Sequence, residues 1–145
     1  MTVKFIRLSS EAKIPVYSSP EAAGADLCAL AEKPLVIKPG ETVMVHTGIA
    51  VEVPQGYAAL IFARSGLASK RGLAPANKVG VVDSDYRGEV MVALHNHSGM
   101  EQTVEQGERV AQLVIVPYLR AEFTETEALS QTQRGEGGFG STGTK

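Results

Sequence analysis

The 145-residue chain is 43% hydrophobic and 21% charged, which excludes a disordered or coiled-coil protein and suits one ordinary hydrophobic core. No apolar run approaches the roughly 20 residues needed to cross a bilayer, so no membrane partner is expected. Fourteen Lys and Arg against 16 Asp and Glu leave a net charge of -2, which argues against a nucleic-acid polymer as partner and leaves room for a small polyanion held locally.

Residues 3–8 alternate in the manner of a strand and carry none of the regions of a targeting peptide. Further strands are expected at 26–30, 35–37, 42–46, 49–53, 57–63, 79–82, 89–97, 102–104 and 110–116. Turn chemistry separates them: Lys38-Pro-Gly40, Pro54-Gln-Gly56, His97-Ser-Gly99 and Gln106-Gly-Glu108. From Gly40 to Gly107 a glycine recurs about every eight residues, the turn spacing of an all-β sandwich or barrel. Helical periodicity is absent apart from a turn or two at 65–70. The expected architecture is all-β, a jelly-roll-like sandwich or barrel with closed edges. Residues 1–120 would form that domain, and 121–145, polar and then glycine-rich, would form a C-terminal arm long enough to reach a neighbouring subunit. One cysteine, Cys28, allows no internal disulfide and suits a reducing compartment such as the cytoplasm; its apolar surroundings make it a packing residue.

Two formal motif matches fail on context. Gly135 to Gly140 fits G-x-G-x-x-G, and Gly138 to Gly143 approaches a P-loop, but neither has a helix to follow it. His95 and His97 share a strand face without a third ligand at metal-site spacing.

Four clusters place polar groups at strand ends. In Ala23-Gly-Ala-Asp-Leu27, Asp26 is either a turn cap or metal-associated. Ala63-Arg-Ser-Gly-Leu67 is either a plain polar turn or a phosphate loop, for which a guanidinium fork, a hydroxyl and turn N–H groups suit the oxygens. The stretch from Asn77 to Glu89 carries Asp83, Asp85, Tyr86 and Arg87 at the mouth of a hairpin. The fourth cluster joins Gly107-Glu-Arg-Val-Ala-Gln112 to a tail whose lone bulky side chain, Phe139, offers a flat face to a nucleobase.

In this order, Ala23-Gly-Ala-Asp-Leu27, Arg64-Ser-Gly66, Gly80-Val-Val-Asp-Ser-Asp-Tyr-Arg-Gly88, Gly107-Glu-Arg-Val-Ala-Gln112 and Arg134-Gly-Glu-Gly-Gly-Phe-Gly-Ser-Thr-Gly143 resemble the five motifs of the trimeric dUTP pyrophosphatases, the dUTPases. The resemblance implies a homotrimeric jelly-roll enzyme whose shared active sites hydrolyse dUTP to dUMP and pyrophosphate, limiting uracil incorporation into DNA and supplying dUMP. Asp83 would orient the water that attacks the α-phosphorus. Tyr86 would pack under the deoxyribose; Asn77 and the hairpin backbone, with Val82, would read uracil. Arg64, Ser65, Gly66 and Gln112 would bind phosphates near the scissile bond. Arg134, Ser141 and Thr142 would secure the γ-phosphate, with Phe139 stacked on uracil beside Gly140. Mg²⁺ would be chelated by the triphosphate and reached by Asp26 through water. One departure is Ala63, where the family commonly has proline before Arg-Ser-Gly, which bears on loop stiffness. dCTP deamination on a related scaffold and a nucleotide-sensing regulatory role are the alternatives.

Overall fold

The computed structural model describes residues 1–138. Its strands are β1 (Lys4–Arg7), β2 (Val16–Tyr17), β3 (Ala25–Cys28), β4 (Leu35–Ile37), β5 (Thr42–Glu52), β6 (Tyr57–Phe62), β7 (Leu73–Pro75), β8 (Gly80–Val82), β9 (Glu89–Asn96), β10 (Gln102–Val104) and β11 (Arg109–Pro117). One helix, α1 (Ser65–Arg71), follows β6. All pairings are antiparallel. They form a four-stranded sheet in the order β1-β5-β9-β7, a five-stranded sheet in the order β2-β3-β11-β6-β8, and the small pair β10-β4. The jelly-roll-like all-β architecture expected from the glycine rhythm is the one found.

Strand β9 shows why these segments fold as they do. Val90, Val92 and Leu94 alternate inward and are fully buried, where they meet Ile37, Val45, Ile49, Leu73, Val104 and Val110 in one core. Each such side chain contributes about 1.5–3 kcal/mol by leaving water, and branching at Cβ favours the pleat. Asn96, at the end of β9, is buried without cost to its amide: Nδ2 donates to the carbonyls of Ile37 (2.9 Å) and Met100 (2.7 Å), and Oδ1 accepts from the Ser98 N–H (2.9 Å). Helix α1 buries Leu67 and stops at Gly72, whose φ of 68° is open to glycine at little cost.

Three differences from the expected elements have physical causes. β2 and β7, two and three residues long, are too short to show a period and exist through their partners β3 and β9. Residues 42–46 and 49–53, expected as separate strands, run together as β5, because Thr47-Gly48 is a bulge rather than a turn. Pairing passes from His46↔Met91 to Ala50↔Glu89, four residues advanced on β5 against two on β9, with Gly48 at φ 67°. The N–H groups stranded by this bulge are captured by a carboxylate. Oε1 of Glu89 accepts from Thr47 N (3.1 Å) and Gly48 N (2.7 Å), and Oε2 lies 2.8 Å from His46 Nδ1.

Beyond Pro117, residues 118–138 form neither strand nor helix, and Leu119, Phe123 and Leu129 are 98%, 95% and 90% exposed.

Burial raises the pKa of Glu89, but hydrogen bonds from His46 and from the Gly48 and Thr47 N–H groups outweigh it and hold the carboxyl below its ordinary value. A group more acidic folded than unfolded adds stability above its unfolded pKa and loses it as pH falls through the folded value. The melting-temperature difference between wild type and Glu89→Gln should therefore be widest near neutrality and shrink below about pH 4.3; a difference independent of pH between 3 and 7 would contradict this electrostatic clamp.

Candidate active site

Strand register assembles the first part of the site. β11 runs between β3 and β6, with Gln112 directly opposite Asp26 on one side and Phe62 on the other. Residues opposite one another in a ladder share a face, and Arg64 lies two residues past Phe62. Asp26, Gln112 and Arg64 therefore converge. Arg64 Nε donates to Asp26 Oδ1 at 2.7 Å, and Gln112 Nε2 donates to the Ala63 carbonyl at 2.9 Å. The loop bearing Ala63 in place of proline is thus tied down at two consecutive residues. Gly24 makes room for this arrangement, since a Cβ there would sit 2.5 Å from Gln112 Oε1.

Arg109 was not singled out in the sequence, yet it donates to Asp26 Oδ2 at 3.2 Å. Strict alternation would put Arg109 and Gln112, three apart, on opposite faces. A bulge between Arg109 and Ala111 rephases β11, so that Val110 and Ala111 are both buried and Arg109 joins Gln112 and Val114 at the surface cleft. No local motif announces that bulge. The resulting cleft, about 820 Å³, is lined by Gly24, Asp26, Arg64, Ser65, Gly66, Lys70, Arg71, Glu108, Arg109 and Gln112 among others. Four cations face two carboxylates there, leaving an excess of positive charge suited to phosphate. Arg71, also unforeseen, fastens the end of α1 by donating to Glu108, to Gln102 Oε1 (3.0 Å) and to the Thr103 carbonyl.

The second part lies elsewhere. Asn77, Val82, Asp83 and Tyr86 line a narrower cleft of about 230 Å³, together with Met44, Ile61, Gly80, Val81, Glu89, Val90 and Met91. Asp83 and Tyr86 bracket a turn closed by Tyr86 N donating to the Asp83 carbonyl at 3.2 Å. Lys78, beside Asn77, has a φ of 65°, the one positive value on a non-glycine among the described residues. Backbone held in that region concentrates at ligand-binding segments. The two clefts have no lining residue in common. Arg134 lies in neither and donates instead to the Gly137 carbonyl at 2.7 Å. Phe139, Gly140, Ser141 and Thr142 fall outside the described residues.

Asp26 is a strand residue rather than a turn cap, with both oxygens engaged by arginines. Among the described residues no three His, Cys, Asp or Glu side chains gather as a metal cage. With Glu108 paired to Arg71, Asp26 in this cationic cleft fits an ion that arrives with a phosphate ligand and keeps its water, since Mg²⁺-like ions bind readily through one or two carboxylates plus substrate phosphates. His95 and His97 meet edge to face, with ring centroids 4.4 Å apart and planes inclined by 61°, and His95 Nδ1 lies 2.8 Å from Thr42 Oγ1, away from both clefts. Cys28 is buried, which pushes its thiol pKa up.

Fold and clefts together define an all-β, jelly-roll-like protein with an arginine-rich cleft whose charge suits a phosphorylated ligand. The family model described as dUTPase matches residues 10–143. The deoxyuridine 5'-triphosphate nucleotidohydrolase of Desulfitobacterium hafniense is 49% identical over 97% of this chain and 94% of its own, and that of Anaplasma marginale 47% identical over 99% of each. Among solved structures, the Staphylococcus bacteriophage 80alpha dUTPase with dUpNHpp superposes with a TM-score of 0.89 at 30% identity, covering 98% of both chains. The chain belongs to the dUTPase family. It is a hydrolase that converts dUTP to dUMP and pyrophosphate, and its family depends on a divalent metal ion.

The fold itself does not require glycine at position 66. A Cβ on this helical residue would meet nothing within 4 Å, and its φ is not left-handed. Gly66→Ala should therefore stabilise the fold by about 0.4–1 kcal/mol and, on the expectation from the family resemblance that a phosphate meets this loop, should lower kcat/KM for dUTP about tenfold or more. Thermal melts and steady-state kinetics check both halves; unchanged kinetics would free Gly66 of contact with substrate.

Proposed function

We propose that the active site is assembled between subunits of a homotrimer, the cationic cleft of one subunit facing the Asp83 cleft of another. The observation that carries this is the division of the family's site residues between two clefts of one subunit, neither complete. Apolar surface surrounds the smaller cleft: Met44, Val79, Val81, Tyr86 and Met91 are all exposed. Such a patch marks an interaction surface, and a second copy of the chain would cover it. Residues 118–138 carry three nearly bare apolar side chains, which a neighbouring subunit would cover; the domain is then 1–120 and the arm 121–145.

In the assembled site, Arg64, Ser65, the Gly66 backbone and Gln112 hold the phosphates nearest the scissile bond, and Arg109 adds charge through Asp26. Arg64 keeps Nε on Asp26, which leaves its terminal nitrogens for phosphate oxygens. Asn77 and the β8 backbone at Val82 read the uracil edge, and Tyr86 lies against the deoxyribose. Arg134, Ser141 and Thr142 close on the γ-phosphate while Phe139, beside Gly140, stacks on the base. A divalent ion, read here as Mg²⁺, would be carried by the phosphates, reached by Asp26 through water, and would neutralise charge on the phosphoryl oxygens.

Asp83, exposed at the cleft mouth, accepts a hydrogen bond from the attacking water and takes up part of its proton as the oxygen bonds to the α-phosphorus and pyrophosphate leaves. The carboxylate acts chiefly by orientation, with proton acceptance contributing typically about 10²–10⁴-fold. We place the protein in the cytoplasm, where the unpaired thiol of Cys28 is at home and where hydrolysis would limit uracil in DNA while supplying dUMP.

Asp83→Asn should leave dUTP binding near wild type and reduce kcat at least about 100-fold. Equilibrium binding and pyrophosphate release read the two quantities; full turnover by Asp83→Asn would remove Asp83 from the reaction.

A further inference from the structure

We propose that Glu89, which the motif comparison leaves without a role, is a positioning residue for sugar selection, because it ties the hairpin that carries Tyr86 to the bulge of β5. The inference rests on Tyr86 lying against the deoxyribose. Its physical basis is a chain of contacts from the bulge to the ring. The Tyr86 hydroxyl donates to the main-chain carbonyl of Glu89 at 3.0 Å, so the phenol folds back across Gly88. A Cβ on Gly88 would lie 2.4 Å from that hydroxyl oxygen, which leaves glycine as the residue that fits beneath it. The orientation of the ring therefore follows the position of the Glu89 backbone.

The sheet ladder alone fixes that backbone weakly. Glu89 is the first paired residue of β9, opposite Ala50, and the next pair, Met91 with His46, lies beyond the two extra residues of the bulge. Where ladder bonds are missing, the Glu89 side chain supplies three: Oε1 to Thr47 N and Gly48 N, Oε2 to His46 Nδ1. The Thr47 hydroxyl adds a fourth tie by donating to the Val90 carbonyl at 2.5 Å. The carboxylate is 19% exposed, so these contacts are only partly open to exchange with water. Glu89 also lines the smaller cleft on one side and, with His46 and Gly48, a separate cleft of about 610 Å³ on the other, forming the wall between them. A shift of a few tenths of an ångström in this wall moves the ring that decides whether a 2′-hydroxyl fits.

The test compares kcat/KM for dUTP and UTP in wild type, Glu89→Ala, Glu89→Gln, Glu89→Asp and Tyr86→Ala, with Ile37→Ala as a destabilised control in the β10-β4 pair. Glu89→Gln keeps an acceptor for both N–H groups and should hold the dUTP:UTP preference within about threefold of wild type. Glu89→Ala should cost tenfold or more of that preference, as should Tyr86→Ala, while Ile37→Ala should cost none. If Glu89→Ala fails to fold, Glu89→Asp, one methylene short of the bulge, carries the test and should lose preference too. Lost preference in Tyr86→Ala but not in the Ala and Asp variants of Glu89 overturns the inference alone. Retained preference in Tyr86→Ala overturns the role of Tyr86 and the inference with it. Equal loss in Glu89→Gln and Glu89→Ala also overturns it, since the glutamine preserves the contacts held responsible.

Discussion

A strand that buries one face cannot choose where its side chains point, because alternation assigns every second residue to the core. In this protein the constraint is severe: β5, β6, β9 and β11 each contribute alternating apolar residues to one core, and β11 lies in the middle of its sheet, paired on both edges. Polar groups can then reach a cleft in two ways, by standing on the outer face in register with one another or by following a bulge that resets the phase. The first way aligns Asp26, Gln112 and the approach to Arg64. The second delivers Arg109 to the same cleft and, on the other sheet, creates the gap that Glu89 fills.

The electrostatics follow from that placement. Asp26 is 12% exposed and would be costly to bury alone, but two guanidinium groups from different segments share it. The ion triad holds the loop after β6 against β3 and β11 and still leaves cationic capacity facing outward. That explains how a chain with net charge -2 can present a cationic cleft suited to phosphate: the positive charge is local, organised by one carboxylate and balanced elsewhere on the surface. The glycine-rich character of the sequence divides in a similar way. Gly24 and Gly88 leave space for Gln112 and Tyr86, whereas Gly66 leaves space that the subunit itself never fills.

Much of this was legible in the sequence because it is local. Alternation and turn residues located most strands, and the order of five short motifs located the family. What stayed hidden depends on partners distant along the chain. Thr47-Gly48 reads as a turn until Glu89, some forty residues away, is seen satisfying its N–H groups. Arg109 reads as one charge in a motif until the β11 bulge turns it toward Asp26. The separation of Asp26, Arg64 and Gln112 from Asn77, Asp83 and Tyr86 into two clefts is likewise a property of the folded sheets, and spacing along the chain carries no trace of it.

The proposed active site requires those two clefts to meet across a subunit boundary. Its most direct test mixes Arg64→Ala, which spoils the cationic cleft, with Asp83→Asn, which spoils the other, after dissociation and reassembly. Each variant alone should be nearly inactive. In a symmetric trimer with shared sites, random mixing in equal amounts should restore about a quarter of wild-type dUTP hydrolysis, since that fraction of interfaces pairs two intact clefts. Mixtures no more active than the separate variants would place both groups in the site of a single subunit and contradict the account.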